Sequence, residues 1–468
     1  NTVQNYVSNY ENVGSFANAL TNSTLTNTSV SVEYKYKETG SGQFITNNNT
    51  NIGGIFGKVD GSTFTITEDS KENVVYKVSN FSNWTLTLRQ SERDRKNINF
   101  GLFAGLVNNS KISYLPFEVG GNTDIKVGVS NYNLTNVSVG GIIGQSISTS
   151  YPEFNLSTTN KLNVYLYTNS GVLIENAYVG GIFGKLLSAE NSNSGQIGKI
   201  SHIGSVYVGP VNETNEQKAS IKSIYAAGVM GYVNSINILN NLSNGVAFDV
   251  NGINKVDSKQ DSVIKVYADA NNTLTAVGGL IGRISDGNLV GVKNSGGKAE
   301  SANNASIHVN SNSSNSSNYV AGIVGFVEGY NAITEIEKIY NSGSVILDST
   351  SSINYVAGIV GYANIVNVTE CYNIGTITCN TNSFALGGIV GAIGSKTITT
   401  AENSYVSYSI SYADFTVNAV SSNALVGGII GNNLFQNATK VNIVNCVSMS
   451  RTYGTNDNKE FIQGIGTN

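Results

Sequence analysis

Two histidines stand in 468 residues. His202 lies in Ser201-His202-Ile203-Gly204, and His308 lies in a polar stretch. Neither belongs to an HExxH segment or to a His/Cys pair at ligand spacing, so no metal site is expected and both read as incidental to chemistry. Asp60-Gly61 and Asp286-Gly287 lack the alternating carboxylates of a calcium loop and read as turn residues. Glycoside cleavage needs two carboxylates converging on one groove. The 31 acidic residues are instead scattered, with none recurring at equivalent positions. The expectation is a chain that is not an enzyme and uses no cofactor.

The three cysteines make no disulfide framework. Cys371 and Cys446 occupy one slot of a repeat two cycles apart. In stacked strands that is roughly 9–10 Å, beyond the Cα reach of about 7 Å for a bridge. With Cys379 they read as buried free thiols. Thr63-Phe64-Thr65-Ile66-Thr67 and Thr85-Leu86-Thr87 have the alternation of an ice-binding face, but they do not recur from cycle to cycle.

The elements that would position these residues are announced by a repeat. Ala357-Gly358-Ile359-Val360-Gly361 is followed about a dozen residues later by Cys371-Tyr372-Asn373-Ile374-Gly375-Thr376-Ile377. The first half recurs with its second and fifth positions as Gly54 and Gly57, Gly141 and Gly144, Gly181 and Gly184, and Gly228 and Gly231. It continues with Gly279 and Gly282, Gly322 and Gly325, Gly358 and Gly361, Gly388 and Gly391, and Gly428 and Gly431. Ala104-Gly105-Leu106-Val107-Asn108 reads as a degenerate copy without the last glycine. The second half is clearest at Ile339 to Val345 and at Cys371 to Ile377. It is looser at Asn294-Ser295-Gly296, Asn244-Gly245-Val246, Ile203-Gly204-Ser205-Val206 and Asn445-Cys446-Val447.

Each apolar run is too short for an amphipathic helix and suits a buried strand. The glycines allow a sharp turn or a close approach of neighbouring backbone. One unit cannot bury its apolar pair alone, so units stack. The pattern predicts an all-β parallel β-solenoid of about ten coils with loops of variable length. Tyr178, Tyr225, Tyr319 and Tyr355 share one slot. They read as a stacked ladder, or as a carbohydrate-binding stripe if their rings face water.

This two-part pattern resembles the GLUG-motif repeat family, found in large secreted and surface proteins, including parts of bacterial adhesins and of surface proteins of protists. The resemblance covers most of the chain. It implies a β-solenoid segment and a surface role, and it implies no activity.

Composition agrees with a solenoid. Charged residues are 12% and net charge is -4, against about 25% charged in an average domain. Such a balance lacks the basic stripe of a nucleic-acid binder. Gly numbers 51 and Pro 3, fitting coils whose N–H groups pair. No apolar run reaches the roughly 20 residues of a membrane span, and Asn1 reads as the start of a processed or truncated chain.

Residues 1–50 are expected to form a partial coil, with Asn12-Val13-Gly14-Ser15-Phe16 matched to the second half. Residues 51–135 form irregular coils with insertions, including Trp84 and the charge run Ser91 to Lys96, read as a solvated loop. Residues 136–468 form regular coils ending in an incomplete repeat at Phe461 to Gly466. Open strand edges at both ends allow two readings, a piece of a longer solenoid or copies stacked head to tail.

Seventeen Asn-x-Ser/Thr sequons occur, at Asn22, Asn27, Asn48, Asn80, Asn83, Asn108, Asn133, Asn136, Asn155, Asn212, Asn241, Asn271, Asn304, Asn312, Asn315, Asn367 and Asn437. A chain so rich in Asn, Ser and Thr gains about that many by chance, but most lie outside the glycine units where a glycan has room. The sequence thus points to an extracellular or cell-surface rod. It assembles with itself as a filament, or it serves as an adhesin or glycan-binding module of a longer protein.

Overall fold

The structure is a computed structural model. It describes residues 6–7, 11–34, 43–46, 50–81, 85–90, 97–130, 133–156, 160–168, 172–188, 197–209, 220–245, 248–249, 252–253, 262–291, 301–329, 333–394, 404–418, 423–435, 441–454 and 460–462. Almost every regular element among these is a strand. Most coils leave one strand in each of five stations, and nearly all strands pair in parallel with their equivalents in the next coil; the pairs Phe248–Asp249 with Gly252–Ile253 and Arg451–Gly454 with Glu460–Ile462 are antiparallel.

The first three stations make sheets A, B and C. Sheet A begins with Tyr6–Val7 and Gln43–Thr46 and runs through Leu162–Thr168, Ser306–Ser311 and Asp414–Val417. Sheets B and C each contain eleven strands, so the described residues make eleven coils where the motif count gave about ten. Coils are numbered here from their sheet A strand, so coil 5 starts at Leu162 and coil 10 at Ile377. The fourth and fifth stations change along the rod. The fifth is a four-stranded sheet from Val30–Glu33 to Glu153–Leu156, then a seven-stranded one from Ile200–His202 to Val447–Ser448. Isolated bridges Lys111↔Ser150, Tyr151↔Ile197 and Ile238↔Leu289 carry the fourth station across the change.

Alternation sets what is buried. In Leu162–Thr168 every second residue is buried, as strand geometry requires when one face covers a core. The inward side chains form one continuous apolar column, among them Ile142, Ile182, Val229, Leu280, Ile323, Ile359, Ile389 and Ile429. Bulky rings thicken the first coils, where Phe56, Phe64, Tyr76 and Phe103 meet edge to face at 5.4–5.9 Å between centroids.

The register corrects three readings. Gly14 pairs with Gly53, so Asn12 to Phe16 enters the first-half unit of coil 1 and is no second half. Residues 6–33 already supply strands to all five stations. Ala104 pairs with Phe56 and Ile143, so the unit of coil 3 is Gly101-Leu102-Phe103-Ala104-Gly105. It keeps its last glycine and puts Leu102 in the second position. At the other end, Glu460–Ile462 pairs antiparallel with Arg451–Gly454. That strand of sheet A turns back, where the sequence suggested the opening of another parallel unit. Trp84, Ser91 to Lys96, Asn294 to Gly296 and Gly464 to Gly466 lie outside the described residues.

Candidate functional site

The repeat glycines sit where sheet B hands over to sheet C. None of the eighteen has a left-handed φ, so turn conformation is not what they supply. They supply space. A Cβ on Gly57 would lie 2.5 Å from the backbone N of Val13, and one on Gly184 would lie 2.7 Å from the backbone N of Val139. The sheet C strand of one coil thus meets the sheet B strand of the coil before it, backbone against backbone.

The second glycine of each unit faces a different neighbour, and that neighbour explains why the two halves recur in order. A Cβ on Gly228, Gly322 or Gly358 would strike the amides of Asn244, Asn341 or Asn373 at 2.1–2.2 Å. These asparagines are fully buried. They form a ladder in which Asn244 Nδ2 donates to Asn303 Oδ1 (3.2 Å), Asn303 to Asn341 (2.9 Å) and Asn341 to Asn373 (2.9 Å). Asn373 Nδ2 then donates to the carbonyl of Gly388 (3.0 Å). A buried amide is tolerated only with its hydrogen bonds made, and these are made between coils. His202 pairs in register with Asn244 and takes the first rung, so it is structural, not incidental. Ser411 and Ser448 take the slot in coils 10 and 11. Tyr372 pairs with Ile410 and Ile410 with Val447, so Cys446 lies in the column of Cys371, as the repeat implied, and Ser448 takes the asparagine slot.

Outside the B–C corner runs a seam. Tyr178 pairs with Tyr225, then Ala276, Tyr319 and Tyr355 follow in the same column. Facing them on sheet C are Lys185, Tyr232, Arg283, Phe326 and Tyr362. Tyr178 and Tyr225 stack at 5.2 Å, and Tyr319 and Tyr355 at 5.7 Å. The small Ala276 leaves a gap between these pairs, and Arg283 of the same coil fills it. Its guanidinium lies 5.3, 5.4 and 5.0 Å from the rings of Tyr225, Tyr232 and Phe326. It donates to the Tyr225 hydroxyl at 3.0 Å and pairs with Glu328. Lys185 covers Tyr178 at 4.5 Å; burial, then the nearby Arg283 charge, pushes its pKa down. Tyr178 and Tyr225 are 9% and 5% exposed and Tyr319 and Tyr355 are half-buried, so this column is a stacking ladder whose ring faces are largely covered by one another.

Water-facing rings occur elsewhere, on the fourth and fifth stations of coils 9–11. Ile374, Tyr412 and Met449 follow one another across three coils, 47%, 48% and 60% exposed. Their amides donate to Asn341, Asn373 and Ser411 of the coil before at 2.8–2.9 Å. The same column carries Asn304 and Ser342 in coils 7 and 8. Beside it, Tyr405 takes the position held by Glu335 and Asn367. Tyr408 occupies the turn position of Lys338 and Glu370. Tyr408 is 56% exposed at φ 49, a conformation costly for a bulky residue. Stacking does not require apolar residues here, because earlier coils manage with polar ones. Sequence reading missed this patch because its members fall outside the recurring glycine units and, although Ile374, Tyr412 and Met449 share one slot, they share no residue type.

The three thiols are free and buried. Burial pushes Cys371 up to about 12 and raises Cys379 and Cys446 as well. His308 Nε2 pairs with Asp348 at 2.6 Å on the outer face of sheet A. Among the described residues no three His, Cys, Asp or Glu side chains are grouped to hold a metal ion.

The sequons divide by burial. Asn22, Asn27, Asn80, Asn133, Asn271, Asn304, Asn312 and Asn315 are exposed. Asn108, Asn136 and Asn367 are half-buried, and each uses the amide nitrogen a glycan would occupy to bond the preceding coil, at Asp60, Asn97 and Glu335. Asn241, at 3% exposure, has no room for a glycan, which corrects its place among the candidates. Asn155 lies on the strand Glu153–Leu156. Asn48, Asn83, Asn212 and Asn437 lie outside the described residues.

No protein-family model, no curated protein and no solved structure matches this chain. Among the described residues no helix is long and apolar enough to cross a membrane.

Proposed function

We propose that this chain is a non-catalytic, extracellular β-solenoid rod that holds a tyrosine-rich contact patch at a fixed place on its surface, a role of the adhesin type. The observation that carries this reading is the change of character within single columns. Asn304 and Ser342 give way to Ile374, Tyr412 and Met449, and Glu335 and Asn367 give way to Tyr405, at positions where the fold accepts either. Exposed aromatic and apolar side chains grouped in this way mark interaction surfaces. The two histidines support a structural reading, one within the amide ladder and one paired with Asp348. The GLUG-type pattern supports the surface location, and the exposed sequons are where glycans would sit on a chain secreted by a eukaryote. Filament growth is the less favoured use of the rod. A parallel head-to-tail continuation of sheet A would have to displace the antiparallel strand Glu460–Ile462.

Two measurements test the proposal. Antibody labelling of intact cells should detect the chain without permeabilisation; label appearing only after permeabilisation removes the surface role. On glycan and protein arrays the purified chain should retain ligands that the triple variant Tyr405→Ser, Tyr408→Ser, Tyr412→Ser loses while its circular dichroism is unchanged. Equal binding by both proteins overturns the patch.

A further inference from the structure

His202 is the one member of the amide ladder with a titratable side chain. Its ring is fully buried. Nε2 lies 2.8 Å from the carbonyl of Leu162 in sheet A, and Nδ1 lies 3.0 Å from Asn244 Oδ1 in the next coil. Both partners are acceptors. The carbonyl can be nothing else, and the ladder fixes the amide. Asn303 Oδ1 accepts from the N–H of Ala305 (3.2 Å), while its Nδ2 donates to Ala305 O and to Asn341 Oδ1. Asn303 therefore turns its oxygen to Asn244, which must donate to it with Nδ2 and present Oδ1 to the histidine.

A neutral imidazole has one N–H and satisfies one of these acceptors; an imidazolium satisfies both. The charged ring, however, stands in the dry core. The B–C corner offers Gly181, the Leu162 strand a carbonyl and the Asn244 strand an amide. Lys161 and Lys199, the nearest charged residues along the packed strands, are partly exposed. Burial lowers the His202 pKa, and the hydrogen bonds to Asn244 and Leu162 oppose it only in part.

We infer that His202 is an acid-sensitive joint in the rod, whose protonation loosens the contacts of its strand with the Leu162 strand of the same coil and with coil 6. The native ring binds its proton less readily than the unfolded one. Stability from this group is therefore complete above the unfolded value near 6.5 and is lost as pH falls from there through the lower native value. The folding equilibrium constant drops about tenfold for each unit that separates the two values.

The test compares the wild type with His202→Asn, which places in coil 5 the residue that coils 6–9 carry at the same slot. His202→Gln is the second variant should the asparagine be too short to reach Leu162. Hydrogen exchange, corrected for intrinsic rates, should speed up in the strands Leu162–Thr168, Ile200–His202 and Leu242–Asn244 of the wild type between pH 7 and pH 5. It should stay constant in the variant. With only two histidines in the chain, the ring resonance lost in the variant is that of His202, and it should titrate below 6.5. Acid-accelerated exchange that persists in the variants, or a His202 titration at or above 6.5, overturns the inference.

Discussion

Gly388 has the carbonyl of Gly428 on one side and the Ser411 hydroxyl on the other, where an added Cβ would lie at 2.1 and 2.3 Å. Neither neighbour can simply swing aside, since the first is backbone and the Cβ of Ser411 itself would lie at 2.6 Å. Gly388→Val, and likewise Gly358→Val beside Asn373, should therefore cost about 3 kcal/mol or more, at the upper end for overpacked cores. Urea melts followed by circular dichroism check this; an unchanged midpoint would remove close approach as the reason for the glycines. At the same scale, the thiols of Cys371, Cys379 and Cys446 are buried and their pKa values are raised. Because the thiolate is the nucleophile, a disulfide reagent such as DTNB at pH 8 should leave the folded protein unlabelled and release three equivalents in guanidinium. Rapid labelling of the native chain would contradict the burial.

The ladders operate at the scale of the element. Asn341 accepts from Asn303, donates to Asn373 and donates to Gly343 within its own turn. Asn341→Ala removes all three bonds and leaves buried partners unsatisfied, so the cost should be about 2–4 kcal/mol, summed from penalties of about 1–3 kcal/mol per orphaned group. By comparison, Asn304→Ala alters an exposed residue and should fall within about 0.5 kcal/mol of the wild type. Equal effects of the two would show that the ladder contributes nothing of its own. In the seam, Arg283→Met keeps an apolar filler beside Ala276 but takes the guanidinium away from Glu328, whose side chain is only 10% exposed. A loss of about 3 kcal/mol is expected from breaking a buried pair, and Arg283→Met with Glu328→Gln should recover part of it. A double-mutant cycle with no coupling would show that the rings, not the ion pair, place the guanidinium.

For the whole molecule, eleven coils at about 4.8 Å each give a stacked body about 50 Å long. Its contacts are between neighbouring coils, so stability is a sum of local terms and opening can start anywhere along the rod. Electron microscopy across a concentration series should show short separate rods, in keeping with the turned-back strand at Glu460–Ile462. Fibres that lengthen with concentration would mean that this strand is displaced and that copies do join end to end.

Much of this architecture is local, and local information is in the sequence. The five-residue units have apolar pairs between small residues, a pattern that only stacked coils can bury, so the solenoid and its B–C corner were legible. The shared slot of Tyr178, Tyr225, Tyr319 and Tyr355 was legible for the same reason, as was the separation of Cys371 from Cys446. Register was not. Leu102 at a glycine position hid the unit of coil 3, and only its pairing with neighbouring strands places it. The role of His202 was hidden too, because a histidine does not look like an asparagine until both occupy one rung. The patch of Tyr405, Tyr408, Tyr412, Ile374 and Met449 belongs to tertiary structure alone. Ile374, Tyr412 and Met449 share a slot but no residue type, and they meet Tyr405 and Tyr408 on one surface only when successive coils are laid side by side. The sequence by itself thus determined that coils form and stack, since each unit must cover the next. The tertiary structure decided which side chains share a column away from the glycine units, because there the register depends on the lengths of the loops between repeats.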